Sequence, residues 1–214
     1  MSVLPIFSSF LLGSVLVSVF LWNMILFKFV LVCLIILLLI YLWDSSYVYS
    51  HFESAFWLFI ISEVIVFGSL LFSCLYFDHW SYVNLSSPLE LPFIGCFLLL
   101  GSSVTVTGFH HLFGWQLSSV LLLFTIVLGG LFVCLQFVEM EEVMVNIFDS
   151  SFHASSFCTV GLHFSHVLLG LIGLSTILLV GYSKFGYYRC TLLTWYWHFV
   201  DYVWLFVYTL VYVC

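Results

Sequence analysis

The sequence predicts an all-α membrane protein with seven transmembrane helices. Of its 214 residues, 64% are hydrophobic and only 6% are charged, whereas soluble domains are about 45–50% apolar and about 25% charged. The apolar residues form runs long enough to cross a bilayer, which requires about 20 residues in a helix. These runs do not alternate between apolar and polar residues, as the strands of a membrane β-barrel do.

The breaks between apolar runs define the spans in order. Residues 5–43 as one helix would extend for about 58 Å at 1.5 Å per residue, which is too long for a bilayer. We therefore predict a corner at Asn23 and an end of the second span at Asp44. The predicted spans are 5–22, 25–43, 54–77, 92–111, 115–138, 152–182 and 192–213.

The predicted helices differ in their small and polar residues. The first two spans are almost uniformly aliphatic. The later spans carry glycines, which allow helices to approach each other closely. We therefore predict two parts: a loosely attached helix pair in residues 1–50 and a main bundle in residues 51–214.

Charge sets the expected orientation and excludes one class of partner. The net charge of −7 argues against nucleic acid, because few basic groups are present to neutralise phosphates. The loop between spans six and seven carries Lys184 and Arg189, and the loops on the other side are acidic. Positive charge prefers the side on which the chain is synthesised. We therefore expect the N-terminus on the inner side and the C-terminus on the outer side.

Ionisable residues inside the predicted spans are expected to have a partner or a function, because a charge at the centre of a bilayer costs several kcal/mol. Glu63 lies near the middle of span three, in FIISEVIVFG. It is either a carboxyl group that exchanges protons or associates with lipid headgroups, or a protonated acid that donates a hydrogen bond to another helix.

The histidines suggest a polar seam between helices. His110 and His111 end span four, and His163 and His166 share one face of span six because they are three residues apart. Haem or copper is the alternative. The two histidine pairs do not lie at matching depths, so we expect hydrogen bonds between helices and no metal in this chain.

His198 and Asp201 are the corresponding residues of span seven. They lie on one helix face in WYWHFVDYVWLF, flanked by Trp195 and Trp197. We predict that they satisfy each other as a polar pair. On that reading, Asp201→Ala would leave His198 without a partner and impair assembly.

Several motifs together resemble subunit III of the haem–copper oxidases, most closely the mitochondrial cytochrome c oxidase form. WYWHFVDYVWLF is similar to the last helix of that family, and FIISEVIVFG to its third helix with a buried carboxylate. The same order holds across residues 54–213, whereas spans one and two match mainly in hydropathy and in Trp43-Asp44. The other matching stretches are PLELP, GFHHLFG, LQFVEMEE and GLHFSHVLLG.

The resemblance implies a subunit without a catalytic or metal centre of its own. Haem a and copper would be in subunits I and II, with accessory subunits as further partners. Phospholipid would bind in a cleft between helices 1–2 and helices 3–7, near Glu63. Such a chain supports subunit I and its proton uptake during reduction of O2 to water. It would lie in the mitochondrial inner membrane, with its N-terminus in the matrix and its C-terminus in the intermembrane space.

The sequence also departs from that family. It is short, and the basic residues that bind lipid phosphates are missing from clearly matching positions. Trp43, Lys184 and Arg189 are therefore the candidates for lipid headgroup contacts. Two alternatives stay open: subunit III of a quinol oxidase, and a seven-helix haem protein or transporter that works alone.

Overall fold

The computed structural model describes residues 4–21, 24–45, 53–77, 85–181 and 185–213. These residues form seven α-helices and a terminal π-helix, so the predicted all-helical fold is confirmed. The predicted corner at Asn23 lies outside the described residues. The helices are α1 (Leu4–Phe20), α2 (Met24–Ser45), α3 (Glu53–Phe77), α4 (Leu91–His111), α5 (Gln116–Glu142), α6 (Ser151–Val180) and α7 (Tyr187–Val207), followed by the π-helix Tyr208–Val213.

Among the residues whose side chains the structure describes, four helices are long and apolar enough to cross a membrane. They are α3, α4, α5 and α6. Helix α7 is long enough as well, but its Tyr, Trp, His and Asp side chains make it less hydropathic.

The chain separates into two compact units, Met1–Glu53 and Ser54–Cys214. In the first unit, α1 packs against α2. In the second, α4, α5, α6 and α7 form a ring in which each helix packs against the next and α7 returns to α4. Helix α3 also belongs to the second unit, and it is the least buried of the four long apolar helices.

Two helix ends differ from the predicted ones. Helix α5 continues to Glu142, although we predicted its end at residue 138. The acidic residues there extend the helix because Glu139 is fully buried and hydrogen-bonded. Helix α7 begins at Tyr187, five residues earlier than predicted, after Gly186 at φ 91°. Glycine adopts this left-handed conformation without steric cost.

Candidate functional site

Trp197 is the centre of the α4–α7 bundle. Its side chain is 1% exposed, and its indole N–H donates to the Ser102 hydroxyl of α4 at 2.9 Å. A β-carbon added at Gly129 of α5 or at Gly170 of α6 would lie 2.8 Å from the Trp197 ring. One indole therefore contacts three neighbouring helices, and two glycines provide the space for it.

Glu63 of α3 pairs with His166 of α6. The distance between Glu63 Oε2 and His166 Nε2 is 2.9 Å, and the two side chains are 20% and 9% exposed. The Phe67 ring lies against the imidazole, with ring centroids 5.3 Å apart. The sequence predicted a polar role for both residues, but it did not show that they are partners.

The other ring nitrogen of His166 determines how many protons this pair holds. His166 Nδ1 lies 2.8 Å from the Leu162 carbonyl oxygen. A carbonyl only accepts, so Nδ1 carries a hydrogen. Either Nε2 also carries one and donates to a Glu63 carboxylate, or Glu63 is protonated and donates to Nε2. The pair is electrically neutral in both cases, which suits a site at membrane depth.

His198 of α7 bonds to α4. Ser103 Oγ lies 2.7 Å from its Nδ1, and Thr107 Oγ1 lies 3.2 Å from its Nε2. The Thr107 hydroxyl donates to the Ser103 carbonyl at 2.8 Å, so its oxygen accepts from His198 Nε2–H. Ser103 can then donate to Nδ1, and the imidazole is satisfied by α4 alone.

The predicted mutual pair of His198 and Asp201 is therefore wrong. Asp201 is 1% exposed, and within the described residues neither of its carboxyl oxygens has a hydrogen-bond partner of good geometry. Ser103 interacts with that carboxyl group as well as with His198. The shared helix face brings the two side chains toward the same serine, and His198 already uses both of its nitrogens on α4. Asp201→Ala would leave the hydrogen bonds of His198 in place.

Two of the remaining histidines, His163 and His110, link α7 to α6 and α4. His163 Nε2 donates to the Val200 carbonyl of α7 at 3.2 Å, and its ring packs against Trp204 with centroids 4.9 Å apart. His110 Nε2 lies 3.1 Å from Thr191 Oγ1 of α7. His111 is exposed.

Sequence reasoning missed Glu139, which we placed in an acidic loop. Its carboxyl group is fully buried and accepts hydrogen bonds from Ser86 Oγ at 2.8 Å and Gln136 Nε2 at 2.6 Å. Tyr212 of the π-helix interacts with the same group. The signal in the sequence was the motif LQFVEMEE, in which Gln136 and Glu139 are three residues apart and share a helix face.

An apolar groove of about 540 Å³ lies between α3, α6 and α7. Arg189 lines it, and this side chain is exposed and has no ion pair with a described residue. The groove is otherwise lined by Phe56, Phe59, Leu169, Gly173, Thr176, Phe185, Leu192, Leu193 and Tyr196.

Of the three predicted headgroup candidates, the structure describes the side chain of Arg189. Lys184 and the side chain of Trp43 lie outside the described residues. Trp195 is 43% exposed at the same end of the bundle as Arg189, and its ring lies 5.4 Å from that of Trp57. Indoles favour the boundary between lipid and water.

The histidines that suggested a metal bond instead to hydroxyl groups, backbone carbonyls and one carboxyl group. Within the described ranges, no three His, Cys, Asp or Glu side chains are grouped closely enough to hold a metal ion.

Comparison with known proteins gives one consistent result. A chain from Heterololigo bleekeri named cytochrome c oxidase subunit 3 is 37% identical over 138 residues, which cover 61% of this chain and 53% of that protein. The proteins of the same name from Papio hamadryas and Drosophila melanogaster are 33% and 34% identical, each over 72% of this chain and 66% of the relative. The match thus spans about half to two thirds of the length of these relatives. The family described as cytochrome c oxidase subunit III matches residues 3–214, and the chain therefore belongs to that family.

Proposed function

We propose that this chain is a non-catalytic core subunit of cytochrome c oxidase, the terminal oxidase of the respiratory chain. The observation that carries the proposal is the family match over residues 3–214, which includes both compact units. In the complex, haem a and copper belong to subunits I and II. This chain packs beside subunit I, with accessory subunits around it, and helps to maintain proton uptake during the reduction of O2 to water.

The groove beside Arg189 supports a phospholipid site. Phe56 lies in the first turn of α3 and Arg189 in the first turn of α7, so the groove is close to one membrane surface. The rest of its lining is predominantly apolar and suits acyl chains. A guanidinium group is a good partner for phosphate because its N–H donors match two phosphate oxygens.

Tyr196 connects this groove to the Glu63–His166 pair. Tyr196 lines the groove, its hydroxyl donates to the His166 carbonyl at 3.3 Å, and its ring stacks near Phe59. A lipid tail in the groove would therefore contact residues that hold the Glu63–His166 pair. We infer that lipid in this groove stabilises the attachment of α3 to the bundle.

The same proposal sets the location and orientation. The chain lies in the mitochondrial inner membrane, with its N-terminus and Arg189 on the matrix side and its C-terminus on the intermembrane side. Loops that carry Lys and Arg tend to stay on the side of the membrane on which the chain is synthesised, and this tendency supports the orientation.

The lipid site is tested by Arg189→Gln in the assembled complex. We expect fewer anionic phospholipids to co-purify with the complex, measured by mass spectrometry after lipid extraction, while the subunit content stays unchanged. Lys28→Gln is the matched control, because Lys28 is also an exposed cation but belongs to the other compact unit. Unchanged lipid content in Arg189→Gln, at equal subunit content, would contradict this site.

A further inference from the structure

The carboxyl group of Asp201 is enclosed by the bundle. The residue is 1% exposed, and it lies fourteen residues after Tyr187, where α7 begins. At 1.5 Å per residue this places it about 21 Å along the helix axis, and the hydrocarbon core of a bilayer is about 30 Å thick. Asp201 therefore lies away from the surface at which α7 begins. A carboxylate ion that is buried in this way requires a cation or several hydrogen-bond donors.

No lysine or arginine among the described residues forms an ion pair with this carboxyl group. Arg189 is twelve residues earlier on the same helix, about 18 Å away along its axis. The side chains of α4 that interact with the carboxyl group are Ser103 and Cys96. Neither of them carries a positive charge, so neither neutralises a carboxylate ion.

The hydrogen bonds of His198 are those of a neutral imidazole. Thr107 Oγ1 donates its single hydrogen to the Ser103 carbonyl at 2.8 Å, so it accepts from His198 Nε2–H at 3.2 Å. A neutral imidazole has one N–H group, and its other nitrogen accepts. His198 Nδ1 then accepts from Ser103 Oγ–H at 2.7 Å. Both partners are uncharged hydroxyl groups, so neither ring nitrogen meets an anion that would stabilise an imidazolium ion.

Ser103 then determines how Asp201 can bond to α4. A serine hydroxyl has one hydrogen and two lone pairs. The hydrogen is used on His198 Nδ1, so toward Asp201 the Ser103 oxygen can only accept. A carboxylate ion has no hydrogen to donate, whereas a carboxylic acid has one. Among the described residues, neither Asp201 oxygen receives a well-aligned hydrogen bond, which agrees with this assignment.

We propose that Asp201 is a neutral carboxylic acid in the assembled protein and donates its proton to Ser103 Oγ. Asp201, Ser103, His198 and Thr107 then form one chain of hydrogen bonds between α7 and α4 in which every side-chain donor has an acceptor. This chain holds one acidic proton at membrane depth. It connects His198 to Asp201 through a serine of the neighbouring helix, in place of the direct pair that the sequence predicted.

Infrared spectroscopy of the assembled complex in its native membrane tests this assignment. A protonated carboxyl group has a C=O stretching band that is separate from the bands of a carboxylate ion. We expect such a band in the wild type and its loss in Asp201→Asn. The band should move to lower wavenumber when the protein is made with heavy-isotope-labelled aspartate. Labelled glutamate should leave it in place, which distinguishes Asp201 from Glu63.

Asp149→Asn is the matched control, because Asp149 is an exposed carboxyl group in a loop. This variant should keep the band of the wild type. Identical spectra of Asp201→Asn and the wild type in the region of protonated carboxyl groups would overturn the proposal.

Ser103→Ala tests the acceptor separately. Without the serine oxygen the acid loses its hydrogen bond, so we expect the C=O band to remain but to move to higher wavenumber. Ser165→Ala removes an exposed hydroxyl group that bonds only to its own helix, and it should not move the band. An unmoved band in Ser103→Ala would overturn the proposed hydrogen bond. If Asp201→Asn does not assemble, the labelled wild type still decides, since the lack of any acid band from labelled aspartate would exclude a neutral Asp201.

Discussion

At the scale of single residues, the pairing of Glu63 with His166 determines which substitutions α3 tolerates. The carboxyl oxygen lies 2.9 Å from Nε2, and Nδ1 is already occupied by the Leu162 carbonyl. A group that replaces Glu63 must therefore still reach Nε2.

We predict that Glu63→Gln retains the attachment of α3, because the amide N–H can donate to His166 Nε2. Glu63→Ala leaves that nitrogen without its partner, which costs about 1–3 kcal/mol. The midpoint of thermal dissociation of the subunit from the complex measures the difference. Ser62→Ala is the control, because Ser62 is exposed and bonds only to its own helix at Phe59. Equal midpoints for Glu63→Ala and the wild type would show that the pair does not hold α3.

A second prediction follows from the hydrogen bonds of His198. Ser103→Ala removes its Nδ1 partner and the interaction with Asp201, so we expect a loss of about 1–3 kcal/mol in the stability of the α4–α7 contact. Asp201→Asn keeps the shape of the side chain and should assemble at nearly wild-type yield.

The yield of assembled complex on native gels measures both variants. Ser165→Ala serves as the control, because this exposed serine bonds only to the Leu162 carbonyl of its own helix. A lower yield for Asp201→Asn than for Ser103→Ala would mean that Asp201 carries the contact.

Residue types and spacing were sufficient to identify polar groups at membrane depth, but not their partners. Spacing along one helix predicted that His198 and Asp201 share a face, and from this we inferred a pair. Which side chains meet between two helices depends on the rotation and depth of α4 relative to α7. The spacing of residues within one helix carries no information about either. Glu63 and His166 are 103 positions apart, so their contact was equally inaccessible from local pattern.

At the scale of the helices, the fit around Trp197 explains which glycines of the bundle matter. The glycine-rich composition of spans five and six predicted close packing, and the structure shows that this holds at Gly129 and Gly170. Gly130 and Gly161 have open space where a β-carbon would lie, although they belong to the same two helices.

We therefore predict that Gly170→Ala destabilises the bundle by about 1–3 kcal/mol, because a β-carbon would overlap the rigid indole. Gly161→Ala, on the same helix, should be nearly neutral or slightly stabilising, since alanine favours helix more than glycine does. Thermal inactivation of the purified complex measures the pair. Equal sensitivity of the two variants would indicate that the Trp197 contact does not limit stability.

Helix ends were predictable only where the composition changes abruptly. The predicted start of span four at residue 92 agrees to within one residue with the start of α4 at Leu91, where Pro92 suits the first turn of the helix. The burial of Glu139 could not be predicted from its residue type, because acidic residues near a bilayer usually lie in water. Its partners Ser86 and Tyr212 come from segments far away in the sequence, and they allow α5 to continue to Glu142.

At the scale of the whole molecule, the polar side chains of the bundle connect its helices to one another. Its cross-helix polar contacts join helices: Glu63 to His166, His198 to Ser103, His110 to Thr191 and Trp197 to Ser102. Its outward surface also carries an apolar groove beside Arg189. This groove is the phospholipid site that we propose.

The most direct test of this account is co-purification of the tagged chain from its native membrane, followed by optical spectroscopy. We predict that the complex carries the absorption of haem a, and that this absorption remains with the other subunits when the chain is separated from them. The separated chain should be colourless. A Soret band that stays with the isolated chain, or a chain that purifies without any haem-bearing partner, would contradict the proposed function.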